Sequence, residues 1–464
     1  MKPLQMPMFS PETEWIPPTH LPDLKDHKEI AIDLETRDPG LKSSGSGSVN
    51  GNGEVVGIAV AVEGWSGYFP IAHEGGGNMD RALVLDWFEE VLHTDATKIF
   101  HNAMYDVSWI RSMGFYIRGG VIDTLIAASL IDENRWGYAL NALGKQYVGV
   151  GKNEKILNDA AKSWGIDPKA DMWRLPAPLV GEYAEQDAVL TLRLWHALQR
   201  EISSQDLWDV FNLETNLFPC LIDMKFKGVR VDAEKANLLK QELIKEEKNI
   251  YRGIRKLIGF DVEIWAAASI AKAFDEVKLP YDRTEKGAPS FTKNFLATHP
   301  HELPKAIANA REINKAHTTF IDTIIKHEHN GRIHADINQI RSDDGGTVTG
   351  RFSYSNPNLQ QIPARNKDLG PKIRALFIPE KNHTWGCFDY SQQEPRIVVH
   401  FASLLKLEGS QTIVDQYNAG EADFHQMIAD MAGIERKQAK TINLGLMYGM
   451  GKNKLMAELG LMKE

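Results

Sequence analysis

Cysteine is almost absent: the 464 residues hold only Cys220 and Cys387, each among apolar neighbours. A disulfide framework and a cysteine zinc site are therefore excluded. Positive charge is also in short supply. Lys and Arg number 53 against 62 Asp and Glu, and the net charge of −9 argues against a surface that binds polyanions everywhere. It leaves room for a local basic groove. No run is apolar and long enough to span a bilayer, and the amino-terminal MKPLQMPMFSPETEWIPP lacks the apolar core of a signal peptide. The expectation is a cytoplasmic chain without a membrane partner. Its length suggests roughly two to four domains, enough for several independent cores.

What is plentiful is the carboxylate, and its placement is informative. Glu29 to Thr36 alternates with period two, Ile30, Ile32 and Leu34 on one face and Ala31, Asp33 and Glu35 on the other. A strand there projects two acids side by side. The following loop 43–53, full of Gly, Ser and Asn, reads as a mobile excursion before a strand at 55–62. After a helix near 80–92 and a strand at 98–100 comes HNAMYD, where Asn102 can cap a helix and set Asp106 in its first turn. A helix over 179–198 stacks Tyr183 and Asp187 one turn apart. Any one of these acids alone reads equally as a cap or a surface charge. Four acids and a tyrosine on three elements that can converge suit in-line hydrolysis of a phosphodiester, in which one cation activates water and a second steadies the leaving oxygen.

Farther on, residues 201–345 read as mostly helical, with Leu239, Leu243 and Ile250 at helix spacing and a second amphipathic helix over 306–326 carrying Arg311 and Lys315 on its polar side. Such basic faces bind DNA phosphates without reading sequence. Trp385 to Ser391 reads as a strand delivering Asp389 at its end, followed by a capping box from Ser391 to Glu394 and by Pro395 in the first helical turn. Asp423 reads as a helix N-cap, and Arg436, Lys440, Leu444 and Tyr448 recur every fourth residue over a helix at 434–447. Two cations and a terminal ring on one stripe suit a nucleoside triphosphate.

These strings carry a resemblance. DLET (33–36), HNAMYD (101–106) and YAEQD (183–187) resemble the three motifs of a 3′→5′ proofreading exonuclease, and DYSQQE (389–394) and RKQAKTINLGLMYG (436–449) resemble the A and B motifs of family A, DNA polymerase I-like, DNA polymerases. The resemblance implies an N-terminal arm (1–28), an α/β exonuclease domain of ribonuclease H type (29–200), a mostly helical thumb (201–345) and an α+β partial palm and fingers of a polymerase right hand (346–464). It implies two Mg²⁺ per site, with Mn²⁺ possible: Asp33, Glu35 and Asp187 on one ion, Asp106 with Asp33 on the other, and Tyr183 orienting the attacking water. Tyr138 or Tyr147 could stack a frayed single-stranded 3′ end.

On the polymerase side the resemblance makes Asp389 a metal ligand, Glu394 a gate against a ribose hydroxyl, and His425, Arg436, Lys440, Leu444, Tyr448 and Arg365 the dNTP neighbourhood. Arg351, Asn358 and Gln360 would touch the DNA primer-template. Leu444 stands where the family usually has Phe or Tyr, and Pro395 replaces an aliphatic residue. The family's His-Asp-Glu motif does not follow the B motif before Glu464. The expectation is therefore the N-terminal part of a proofreading polymerase that needs a C-terminal fragment on a second chain. A stand-alone exonuclease and a non-catalytic DNA-binding subunit are the alternatives.

Overall fold

The computed structural model describes residues 11–343, 345–364, 366–452, 455 and 456. The chain divides into two compact units, Met1–Asn382 and His383–Glu464.

The first unit begins with a mixed sheet. β1 (Glu29–Arg37), β2 (Glu54–Val62) and β3 (Trp65–Pro70) form an antiparallel meander. The chain then crosses over through α1 (Arg81–Leu92) to β4 (Thr97–Phe100), and through α2 (Ala103–Ser112) to β5 (Val121–Asp123), both in parallel pairing. The order β3-β2-β1-β4-β5 makes β1 the central strand. Its alternation is realised. Ile30, Ile32 and Leu34 pack with Val84, Phe88 and Leu92 of α1 in one core, each fully buried side chain worth about 1.5–3 kcal/mol.

The other face of the sheet carries small residues, Ala31, Ala59 and Ala61, and these admit the long helix that follows α3 (Thr124–Ile131), namely α4 (Gly181–Ser204), whose Tyr183, Ala184 and Ala188 join them in a second core. A register shift between Glu35 and Thr36 bulges β1. Bulges re-aim side chains, and this one falls beside an acid.

The loop expected to be mobile is anchored instead. Residues Gly47–Val49 form a turn of 3-10 helix, Ser46 and Ser48 are buried, and both oxygens of Asp38 accept the Gly47 N–H at 3.1 Å. Gly and Ser here give close packing rather than slack, since a Cβ on Gly47 would lie 2.2 Å from the Asn52 carbonyl oxygen.

Beyond α4, helices α5 (Trp208–Lys227), α6 (Ala233–Ile258) and α7 (Glu302–Lys315) follow. The helix expected over 306–326 starts earlier, widens into a π-turn at Ala316–Ile321 and resumes as Asp322–His327. Arg311 is no phosphate-facing cation on a polar stripe. Its guanidinium donates to the carbonyls of Ile264 at 2.6 Å and Phe291 at 3.1 Å, satisfying backbone groups of the same unit. β6 (Asp336–Asn338) and β7 (Ser353–Ser355) pair antiparallel, Asp336 opposite Ser355 and Asn338 opposite Ser353.

The second unit holds α8 (Gln393–Leu404), α9 (Ser410–Asn418), α10 (Phe424–Ala432) and α11 (Arg436–Met447). The strand expected at 385–391 is not formed: the segment is irregular and exposed. A strand needs a ladder partner for its N–H and C=O groups, and among the described residues none pairs with it. The Ser391 capping box is also absent, for Gln392 holds the N-cap position in left-handed backbone with no side-chain cap. Pro395 does fall in the first turn of α8. Among the described residues no helix is long and apolar enough to cross a membrane.

Candidate metal and nucleic-acid site

Asp33 and Glu35 leave β1 opposite Ile32 and Leu34, on the face that α4 covers, and Tyr183 and Asp187 lie one turn apart on α4. Carboxylate oxygens of Asp33, Glu35 and Asp187 consequently lie within 4.8 Å of one another. Asp106 stands to the side in the first turn of α2, one oxygen accepting the Leu34 N–H at 3.0 Å.

The cap that starts α2 is not Asn102. That residue adopts left-handed backbone at φ 69° with no side-chain cap. Asp123, at the end of β5, accepts the N–H groups of Asn102 at 2.9 Å, Ala103 at 2.8 Å and Leu125 at 2.8 Å, so one carboxylate begins both α2 and α3. Sequence reading passed over Asp123. The signal was there, an acid between a short apolar run and the helical TLIAASLI.

Burial and mutual repulsion raise the proton affinity of the whole nest. Asp33 is pushed up to about 7, first by burial and then by the Asp187 charge, with Lys152 opposing. Burial, then Asp33 and Asp187, lifts Glu35 well above the ordinary carboxylate range. Asp106 is raised well above it by burial and then by Asp33, against the pull of the Leu34 N–H, and Asp187 is raised by burial against Lys152. Carboxylates this close and this dry cannot all stay ionised without a cation among them.

One cation is already present, and no motif pointed to it. The Lys152 ammonium is hydrogen-bonded to Asp187 Oδ2 and sits 3.3 Å from the Tyr183 hydroxyl and 5.1 Å from the centre of its ring. Burial holds the Tyr183 hydroxyl protonated far above neutral pH. The remaining Asp187 oxygen, Oδ1, is buried with no hydrogen-bond partner among the described residues. An orphaned carboxylate oxygen in a nest of hard oxygen donors is the donor set a divalent cation such as Mg²⁺ or Mn²⁺ takes. These residues fit a metal.

A cleft of about 720 Å³ adjoins the nest, bordered by Glu35, Asn102, Tyr105, Lys225, Asn338 and Asn356. Tyr138 offers no stacking face, being buried with its hydroxyl donating to the Asp132 carbonyl at 2.7 Å. Tyr147 is half-buried, its ring 6.0 Å from the Arg135 guanidinium.

The remaining candidates are less gathered. Asn358 accepts the Gln360 N–H at 3.0 Å, the Gln360 amide donates to the Phe352 carbonyl at 3.0 Å, and Arg351 is exposed. Arg365 lies outside the described residues. Asp389 is exposed and belongs to no group of three or more metal-ligating side chains among the described residues. Asp423 caps α10 as expected and also pairs with Arg436 at 2.8 Å. Glu394 accepts from the Tyr448 hydroxyl at 3.3 Å. Lys440 is exposed and Leu444 half-buried, while His425 is only 3% exposed, with the Asn443 amide 3.3 Å from its Nδ1. Burial, and then Lys440 and Arg436, lowers the His425 pKa.

The sheet order, the covering helix and the acid nest together define an α/β domain that carries the donor set of a divalent-cation site, followed by a largely helical region. The family model described as 3'-5' exonuclease matches residues 19–203, and the one described as DNA polymerase family A matches 233–464. The DNA-directed DNA polymerase of Pseudomonas phage M6 is 38% identical over 99% of this chain and 73% of its own length. DNA polymerase DpoZ of Salmonella phage PMBT28 is 30% identical over 95% of this chain and 72% of its own. DNA polymerase I of Pseudomonas aeruginosa is 30% identical over 95% of this chain, which spans 48% of that protein. Among solved structures, the POL domain of Pol1 from M. smegmatis, in complex with DNA primer-template and dNTP, shares the fold at TM-score 0.70 and 20% identity, over 94% of this chain and 71% of that one. The chain belongs to the family A DNA polymerases and carries a 3′→5′ exonuclease domain in its first part.

Proposed function

We propose that this chain shortens DNA from the 3′ end at the Asp33–Glu35–Asp187 nest, as the proofreading part of a template-directed DNA polymerase. One observation carries the reading: three carboxylates with oxygens within 4.8 Å of one another, and a buried Asp187 oxygen left without a partner among the described residues. Asp33, Glu35 and Asp187 would hold one divalent cation and Asp106 with Asp33 a second, Mg²⁺ by preference and Mn²⁺ as substitute. When bound, such ions supply the Lewis acidity that makes a nucleophile of water and balances charge on the leaving oxygen.

The chain's own side chains do the positioning. Tyr183, kept protonated by burial, can donate to and orient a water but cannot act as a base. Asp123 fixes the start of α2 and with it the place of Asp106. The adjoining cleft, with Asn102, Tyr105 and Lys225 on its border, suits a single-stranded 3′ end more than a duplex. Incubation of the full chain with single-stranded DNA and Mg²⁺ tests the reading. Stepwise 3′ shortening, lost in Asp187→Ala, is expected; equal shortening by that variant would refute it.

For nucleotidyl transfer we infer that Asp389 acts with a second carboxylate outside the described residues. Arg436, Lys440 and His425 would take the dNTP phosphates, with Tyr448, Leu444, Glu394 and Arg365 around the base and sugar. Arg351, Asn358 and Gln360 would meet the primer-template. Primer extension with dNTPs and Mg²⁺ tests this: Asp389→Ala is expected to abolish it, and equal extension by that variant would refute the assignment. We infer a cytoplasmic location, or the host cytoplasm if the source is viral. A stand-alone exonuclease, with the remainder gripping DNA, is the second reading, favoured by Asp389 being exposed and outside any metal-ligating group of three or more among the described residues.

A further inference from the structure

Lys152 lies in a loop held on three sides. Its own N–H donates to Asn141 Oδ1 at 3.0 Å, the next N–H, of Asn153, donates to Gln186 Oε1 at 2.6 Å, and the Gln186 amide nitrogen donates back to the Gly151 carbonyl at 3.3 Å. Gly151 permits this approach, for a Cβ there would lie 2.5 Å from Lys145 Cε and 2.6 Å from Asn141 Oδ1. Gln186 adjoins Asp187, so the loop that carries the lysine is clamped to the residue next to its target. The result is a nearly buried ion pair, with side-chain exposures of 14% for Lys152 and 4% for Asp187.

An ammonium ion brought this far out of water is costly unless its charge is used. From the geometry, we propose that Lys152 is a resident counter-ion of the nest: it occupies the Asp187 carboxylate while no metal is bound, and gives it up when a divalent cation enters. The inference rests on the reading of the nest as a metal site. It makes Lys152 a positioning residue that keeps the carboxylates assembled and lowers their apparent metal affinity, because the protein must first populate the state with the lysine withdrawn. If that state is about one part in ten, the apparent dissociation constant is raised about tenfold. An arginine at this place keeps the competing charge, whereas a methionine of similar length removes it.

Calorimetric titration of the full chain with Mn²⁺, without DNA, tests the proposal. Lys152→Met is expected to bind Mn²⁺ about tenfold more tightly than the unsubstituted protein, and Lys152→Arg to stay within about twofold of it. Unchanged or weaker binding by Lys152→Met, with normal binding by the unsubstituted protein, overturns the inference and leaves the metal site standing. No Mn²⁺ binding by either overturns both. Should Lys152→Met fail to fold, acetylation of the unsubstituted protein mapped by mass spectrometry decides the matter. Mn²⁺ is expected to raise modification of Lys152 several-fold while leaving unchanged that of Lys98, whose ammonium is enclosed by the carbonyls of Thr94, Ala96 and Arg118. No rise at Lys152 overturns the proposal.

Discussion

The two acidic sites of this chain differ in how their charge is supported. Asp33, Glu35 and Asp187 come from a central strand and the helix packed across it, and they share a dry pocket with a lysine. Asp389 stands exposed in an irregular segment, outside any metal-ligating cluster among the described residues. A carboxylate at the end of a strand is placed only as firmly as the ladder that holds the strand. β1 has neighbours on both edges, so its acids are positioned before any ligand arrives; the segment at 385–391 has none among the described residues.

The largest test of this contrast is catalytic. Asp33→Ala should lower 3′ shortening of single-stranded DNA by at least about a thousandfold, beyond the 10–100-fold typical of outer-shell partners, while Asp389→Ala should leave it within about twofold. A comparable loss in both would break the comparison. Next comes the scaffold. Asp123→Ala leaves three N–H groups at two helix starts without their acceptor and should cost about 3 kcal/mol of stability by thermal or denaturant unfolding.

Acidity gives a third test. Asp33 titrates near 7 in the folded, metal-free protein against an ordinary 3.8, so the fold binds its proton more tightly than the unfolded chain does. The metal-free fold therefore loses stability as pH rises from 4 through 7 and regains it as pH falls. Metal binding must displace that proton and those on the other raised acids, so Mn²⁺ affinity should drop at least about tenfold per unit of pH below 7, as read by calorimetry. A pH-independent affinity would mean the acids are ionised without help. A smaller effect is expected of Arg311→Ala: about 1–2 kcal/mol of stability, from two carbonyls left unpaired, with no change in the salt dependence of DNA binding. Smallest of all, Asp389→Ala should shift stability by less than about 0.5 kcal/mol, as befits an exposed side chain.

What could be read from the sequence was what local periodicity encodes. The two-residue period of β1 and the four-residue step from Tyr183 to Asp187 put the right side chains on the right faces, and family motifs brought them together. Asp423 as a cap was legible for the same reason, being a local hydrogen bond to the two residues that follow it closely. The errors share a cause as well. Trp385 to Ser391 has the composition of a strand, yet strand formation depends on a partner elsewhere in the chain. Asn102 has a capping side chain, but it is Asp123, 21 residues away, that accepts at this helix start, from the N–H groups of Asn102 and Ala103. Arg311 belongs to a polar pattern on its helix and is nonetheless consumed by carbonyls 47 and 20 residues distant. Lys152 was out of reach because a lysine in a glycine loop carries no period, and its partner lies 35 residues on.

The account depends on the early acids working through a bound divalent cation. Its most direct test is the release of 3′-terminal nucleotides from single-stranded DNA by the full chain, first stripped of metal with chelator and then supplied with Mg²⁺. The account predicts no release in chelator and stepwise release once Mg²⁺ is returned. Release at the same rate in both conditions would contradict it.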